Sequence, residues 1–425
     1  MQSFLIFICS SVFACGGYLV WPSRYNVMAH LNLGFVFIAY FIPAIILNDQ
    51  NDYPANIVSL FTVILALGAV CYIIGLYTGF LIKPIHFSHF SFSVLKTEDY
   101  KEQIIKVTRV FLLIGITGLT FGYLLMGFVP AFAADPVAAK FFRGQYQVPF
   151  YVSIVYLSSF FILTTTTPVA IVIWYIDKKK KLFLSGAIIS IILMAVSLSR
   201  GPAFSGVVFA VAIIMSFKSW KTFLVLILLL FSIYSASSVF YFVVGVRDYT
   251  AVSASFKDDH LFWRIISAGT IDITDQLNFL DFFNKAPIWT YGRTIIGGLV
   301  PSHFDWNPAV YTLRVTNPGE DLSTLISGGL RLPAPLWGYV SFKWVGVAAF
   351  CFLSGFLKGI FLKFTKYWIF KSQSILVATI IILINMSIFQ PLSEFFVLSI
   401  YSLPPVFVLM FYLFRFNTNL KYQQI

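Results

Sequence analysis

Charge is what this chain has least of. Only 11% of its 425 residues are Asp, Glu, Lys or Arg, against 59% hydrophobic, and the mean hydropathy is +0.86. Soluble globular domains carry about 25% charged residues, so that class is excluded. Cysteine is also sparse. Cys9, Cys15, Cys71 and Cys351 all lie in apolar runs, without zinc-ligand or disulfide spacing, and read as small core hydrophobes. No Gly-rich phosphate loop, metal-binding His/Glu motif or serine-hydrolase elbow occurs. No RNA- or DNA-binding motif occurs either, so the net charge of +12 is a topology signal and no nucleic-acid partner is expected. The apolar runs hold almost no charges, which argues against ion coupling through buried carboxylates. Nor is there an internal repeat or an inverted pair of interrupted helices, which weakens a transporter reading.

What is present is one apolar run after another, many near the roughly 20 residues that a membrane helix needs. Hydropathy and loop charge together predict an all-α, polytopic membrane helical bundle of about 11 spans, with ten or twelve as the range. Residues 2–20 form an uncleaved first span, because no basic residue precedes the faint lipoprotein-like box at Val12 to Cys15. Spans follow at 27–47, 55–82, 107–128 and 151–176. Two shorter apolar pieces, 182–198 and 202–217, form a hairpin whose joint carries Arg200, with Gly201-Pro202 expected to break the helix. Further spans are expected at 222–246, 344–362, 373–389 and 395–414, with the N-terminus out and the C-terminus in. The chain reads as one membrane domain, 1–425, in which 247–335 is a long external segment folded as a partly helical cap.

Lysine and arginine separate across the predicted bilayer. Of 19 lysines, 15 lie in or beside loops that read as cytoplasmic, the four consecutive lysines Lys178 to Lys181 most clearly. The positive-inside rule accounts for them. Of 10 arginines, seven (Arg143, Arg200, Arg247, Arg264, Arg293, Arg314, Arg331) lie in external segments. Guanidinium is always charged, and its planar fork of donors matches phosphate, so displaced arginines point to an anionic ligand. The alternative is pairing with local carboxylates.

The segment 247–335 carries five of those arginines together with nine carboxylates, Trp263, Trp289 and Trp306. Apolar residues at Leu261, Ile265, Ile266, Ile273, Leu277 and Leu280 are spaced for helices on the membrane surface or packed on the spans. The remainder is rich in Gly, Pro, Asn and Ser, and a loop of such length is usually functional. His260 and His303 are the external histidines, and His is the common acid or base near neutral pH. His303, beside Asp305 and close to Arg293 in sequence, is the candidate base. Asp272, three residues before Asp275 on one helix face, is the alternative, weighed against a solvated or Arg-paired face.

Three stretches in a fixed order carry a family resemblance. They are a hairpin turn Ala195-Val196-Ser197-Leu198-Ser199-Arg200-Gly201-Pro202, TYGRTIIGGLVP at 290–301, and SGGLRLPAPLWGYVSFKWVGVAAFCFLSGFLKG at 327–359. The pattern over roughly 180–360 resembles the bacterial O-antigen (oligosaccharide repeat unit) polymerases of the Wzy type, and is similar to the related O-antigen ligases. The resemblance implies a GT-C-type membrane glycosyltransferase that uses no metal and no cofactor, sits in the bacterial inner membrane and works at its periplasmic face. Its substrate would be an undecaprenyl-pyrophosphate-linked oligosaccharide, as both donor and acceptor, with a chain-length regulator protein as a further partner. Arg200 matches the family's hairpin arginine. Arg264 and Arg293 are the next pyrophosphate contacts, then Arg247, Arg314 and Arg331. The flanks of His303 do not match the ligases' catalytic histidine closely. Ligase, and lipid-linked oligosaccharide flippase or other transporter, remain the alternatives.

Overall fold

A computed structural model describes residues 2–36, 41, 53–82, 98–218, 228, 232, 273–300, 305–320, 329–330, 332–372, 374–390 and 400–414. Among these residues the structure is helical and holds no strand. The first helices are α1 (Gln2–Cys15), α2 (Gly17–Val20), α3 (Val27–Val36) and α4 (Ala55–Leu81). Next come α5 (Glu98–Met126), α6 (Pro136–Lys140), α7 (Phe150–Ile176) and the hairpin α8 (Lys181–Ala195) and α9 (Arg200–Lys218). The later part holds α10 (Ile273–Lys285), α11 (Thr294–Gly297), α12 (Pro308–Thr316), α13 (Ala334–Ser372), α14 (Ile375–Ile384) and α15 (Leu403–Phe414).

Among the described residues, four stretches are long and apolar enough to cross a membrane: Ala55–Leu81, Tyr100–Met126, Phe150–Ile176 and Ala334–Ser372. The coarse expectation of an all-helical membrane protein therefore stands. Backbone contacts divide the chain into two compact units. One holds residues 1–83, 224–363 and 389–400, the other 84–223, 364–388 and 401–425.

In the first unit, α4 and α13 meet backbone to backbone. A Cβ on Gly75 would lie 2.1 Å from the Phe352 carbonyl oxygen, and one on Gly79 2.0 Å from that of Phe356. The contact is reciprocal: a Cβ on Gly355 would lie 2.1 Å from Tyr72 O, and one on Gly359 2.3 Å from Leu76 O. Each helix thus presents a Gly-x-x-x-Gly face, the small-residue pattern that lets membrane helices approach to backbone contact. No larger residue fits at these four positions.

α13 also departs from the expected 344–362 span. It turns a sharp corner at Phe342 (φ −144°, ψ 29°) and Lys343 (φ 54°, ψ −138°), so a short arm, 334–341, precedes the long one. Gly338 and Gly346 close the corner, each so near the other's carbonyl (2.4 and 2.0 Å from an added Cβ) that a side chain is excluded from both. Pro333 and Pro335 flank the start of the short arm, where a missing N–H costs nothing. Lys363, Lys366 and Lys371 lie within the helix rather than beyond its end.

The second unit also uses glycines, on α5. Gly115 and Gly118 lie against Leu163 and Ser159 of α7, where an added Cβ would be 2.5 and 2.2 Å from the nearest side-chain atom. α14 is apolar on every side and almost wholly buried, and Tyr412 of α15 shares a buried 2.8 Å hydrogen bond with Thr108 of α5. The α8–α9 hairpin forms as expected, but its break lies earlier. α8 ends at Ala195, the turn runs through Leu198 (φ +61°), and α9 already begins at Arg200. Pro202 falls in the first turn of α9, where the N–H it lacks would be unpaired anyway, so the Gly-Pro pair starts a helix instead of ending one.

Gly75→Val or Gly355→Val is expected to destabilise the folded protein by more than about 2 kcal/mol, since the helices must part. Leu353→Ala, on an exposed position of α13, should change little. Thermal unfolding in detergent, followed by intrinsic fluorescence, checks both.

Candidate functional site

Among the described residues, the best-defined arginine cluster lies in the first unit, between α10, α11, α12 and the short arm of α13. It is built on a tight turn. Residues 290–293 close on an Arg293 N to Thr290 O hydrogen bond of 3.0 Å, with Tyr291 (φ 50°) and Gly292 (φ 76°) both left-handed. Two positive φ angles in succession mark the type I′ geometry, which glycine adopts readily and tyrosine does not. The Thr290 amide donates to Val340 O at 3.0 Å, and its hydroxyl shares a buried 2.7 Å bond with Ser341 Oγ. The turn is therefore clamped to the arm of α13, and Arg293 projects from its end.

Arg293 sits over the indole of Trp306, 4.8 Å from guanidinium carbon to ring centroid. The approach depends on Gly297, whose Cβ, if present, would lie 1.8 Å from the Trp306 carbonyl oxygen. Arg314, in the last turn of α12, reaches the same ring at 6.0 Å. Two of the predicted pyrophosphate residues thus converge on one aromatic side chain. Cation–π contacts of this kind contribute about 0.5–1 kcal/mol at exposed sites and more when desolvated.

The two arginines differ in their remaining partners. Arg314 Nη1 lies 3.4 Å from Asp305 Oδ2 and donates to the Asp305 carbonyl at 3.5 Å. Its charge is partly committed. Arg293 is exposed, and among the described residues no carboxylate pairs with it. A guanidinium held beside an indole without a carboxylate partner has N–H donors available for phosphate oxygens.

Beneath them the site is rigid. Tyr311 is fully buried, stacks on Trp306 at 6.3 Å, tilts against Trp337 at 5.9 Å and Phe279 at 6.1 Å, and donates its hydroxyl to Ile288 O at 2.8 Å. Burial pushes its phenol well above the usual range, with Arg314 opposing, so it stays neutral and acts as a fixed post. Asn307 caps α12 by accepting from the Ala309 amide, with Pro308 at the first position. On α10 the expected apolar face is present: Ile273, Leu277 and Leu280 are buried.

Of the other predicted residues, Arg200 is the first residue of α9, where the backbone is described and the side chain is not. Asp272, His303, Arg247, Arg264 and Arg331 lie outside the described residues. Sequence reasoning missed the roles of Trp306, Thr290 and Gly297. The Gly297-Gly298 pair and the lone tryptophan in PSHFDWN were visible signals of a close approach, but not of what approaches.

The chain was compared with protein-family models, with curated proteins and with solved structures, and none of the three comparisons finds a match.

Gly297→Ala is expected to lower the thermal midpoint through its collision with the Trp306 carbonyl. Asp305→Asn should alter stability by no more than about 1 kcal/mol, as for other exposed ion pairs. Parallel melting curves of the two variants test the difference.

Proposed function

We propose that the protein is an oligosaccharide repeat unit polymerase of the Wzy type, working at the periplasmic face of the bacterial inner membrane on undecaprenyl-pyrophosphate-linked glycans. The observation that carries this reading is Arg293: without a carboxylate partner among the described residues, and held beside an indole by a clamped turn. The chain would cross the membrane about eleven times, with 247–335 as the cap over the site.

The chemistry follows from those residues. The bond between the anomeric carbon and the pyrophosphate oxygen breaks, and an acceptor hydroxyl of a second lipid-linked repeat bonds to that carbon. Negative charge develops on the leaving pyrophosphate, and fixed guanidinium donors stabilise it without a metal. Arg293 takes this role; Arg200 and Arg264, then Arg247 and Arg331, are the other candidates for it. Arg314, half neutralised by Asp305, mainly braces Trp306. The hydroxyl proton goes to a base, for which His303 is the first candidate and Asp272 the second. A chain-length regulator is the expected protein partner.

Deleting the gene and restoring it in a host strain, followed by a gel of surface glycan, tests the reading. A single repeat attached to core, with the ladder lost, supports the polymerase. Loss of every repeat with lipid-linked polymer accumulating would show a ligase, and an unchanged ladder would refute both. Arg200→Ala, Arg264→Ala and Arg293→Ala should each abolish the ladder while the protein still inserts. Normal product from all three would sink the pyrophosphate clamp. Trp306→Ala should cut polymer output about fivefold, the equivalent of about 1 kcal/mol of lost cation–π positioning.

A further inference from the structure

A second arginine site lies in the other unit, in a segment that hydropathy marks only as a connection. Residues 127–149 fold into a compact cap. A 3₁₀ turn at Pro130–Phe132 leads to α6 and then to a second 3₁₀ turn at Gly144–Tyr146. Asp135 caps α6, its Oδ1 accepting from the amides of Val137 at 3.1 Å and Ala138 at 2.9 Å, with Pro136 at the first helical position. Ala138, Ala139 and Tyr146 form a small buried core with Phe128 and Ala133 packed on it. This segment is bonded to the hairpin turn that precedes Arg200: the Ala131 amide donates to Val196 O at 3.0 Å. Close by, Tyr123 donates to Leu193 O at 2.7 Å.

Arg143 is the residue this segment holds most deliberately. It lies between two left-handed residues, Phe142 (φ 54°) and Gly144 (φ 57°), the first of which is strained for a non-glycine. Its amide donates to Ala138 O at 2.9 Å, and its carbonyl accepts from Tyr146 N at 3.0 Å. The Phe142 ring is anchored edge-on to Tyr156 at 5.6 Å. Despite this, the Arg143 Nε is buried and has no hydrogen-bond partner among the described residues, while the residue as a whole is half-buried. Among the described residues no carboxylate lies in salt-bridge range of Arg143, and Asp135, the acid of this segment, has an oxygen engaged in capping α6. A buried N–H without a partner is destabilising, and a bound ion or ligand is one way such a donor is satisfied.

We propose that Arg143 is the anchor of an anion site formed by the 127–149 cap and the adjoining hairpin turn, and that the anion is a phosphate group carried by a lipid. Nε and a terminal nitrogen of guanidinium present the two parallel N–H bonds that a phosphate accepts, a geometry lysine lacks. The chemistry is the same whether the phosphate belongs to a lipid-linked pyrophosphate or to a bilayer phospholipid headgroup. The site stands on the geometry of the cap and does not require the polymerase reading.

The experiment uses the purified full-length protein and its Arg143→Gln, Arg143→Lys and Arg143→Ala variants, with thermal midpoint as the readout. One arm titrates sodium pyrophosphate in uncharged detergent at constant ionic strength, with chloride as reference. The second compares nanodiscs of phosphatidylcholine with nanodiscs containing phosphatidylglycerol. The wild type should show a saturable rise in at least one arm, and all three variants should need at least tenfold more anion for the same rise. A response to pyrophosphate alone identifies the lipid-linked source, and a response to phosphatidylglycerol alone identifies the bilayer. Without anion, Arg143→Gln should melt no lower than the wild type, because a buried N–H without a partner has been removed. A large drop for Arg143→Gln without anion, or equal anion responses in wild type and all variants, would overturn the proposal. Either result leaves the glycan-ladder test of the polymerase reading untouched.

Discussion

Everything in the first unit depends on two helices touching at their backbones. In a bilayer there is no hydrophobic gain from bringing apolar helices together, so association rests on close packing. Gly75 and Gly79 on α4 and Gly355 and Gly359 on α13 interlock so tightly that any Cβ would collide with a carbonyl. α13 is in turn the element from which the arginine turn hangs. The fixed position of α13 against α4 therefore fixes the frame in which Arg293 and Trp306 meet. In the second unit, Gly115 and Gly118 on α5 instead make room for the side chains of Leu163 and Ser159.

On that frame, the site separates two roles that the residue type alone does not. Arg293 and Arg314 approach one indole, yet among the described residues only Arg314 has a carboxylate beside it. One of the two arginines is thus locally paired, and among the described residues the other is not. Trp306 does more than fill space. Its ring lies 4.8 and 6.0 Å from the two guanidinium carbons and attracts both cations. The buried, neutral Tyr311 underneath supplies rigidity without adding a competing charge.

Much of the helical layout was legible in the sequence because a membrane leaves the backbone no choice. Unpaired amides are intolerable in hydrocarbon, so a long apolar run must be a helix. The expected 55–82 and 151–176 accordingly appear as Ala55–Leu81 and Phe150–Ile176, and the hairpin falls where charge and hydropathy put it. Elements set by long-range contact were not legible. The corner at Lys343 requires Gly338 to meet Gly346, and the arginine cluster requires Gly297 to meet Trp306, neither of which periodicity reports. Two signals were readable but unused: the Asp135-Pro136 helix start, and the paired Gly-x-x-x-Gly patterns 280 residues apart in sequence (355 minus 75). Arg293 and Arg314 were individually named from their displaced charge. Their common partner was not, because a cation–π pair is created by tertiary approach.

The corner in α13 has a mechanical consequence. The 290–293 turn is bonded to Val340 and Ser341, two successive residues on the short arm, just before the chain reverses at Phe342 and Lys343. The long arm, the short arm and the arginine turn thus form one continuous lever, with glycine contacts instead of a loose loop at its elbow. A tilt or axial slide of the long arm would carry the Arg293 guanidinium with it. The hydrocarbon thickness around α13 is then one of the quantities that sets the height at which the guanidinium stands.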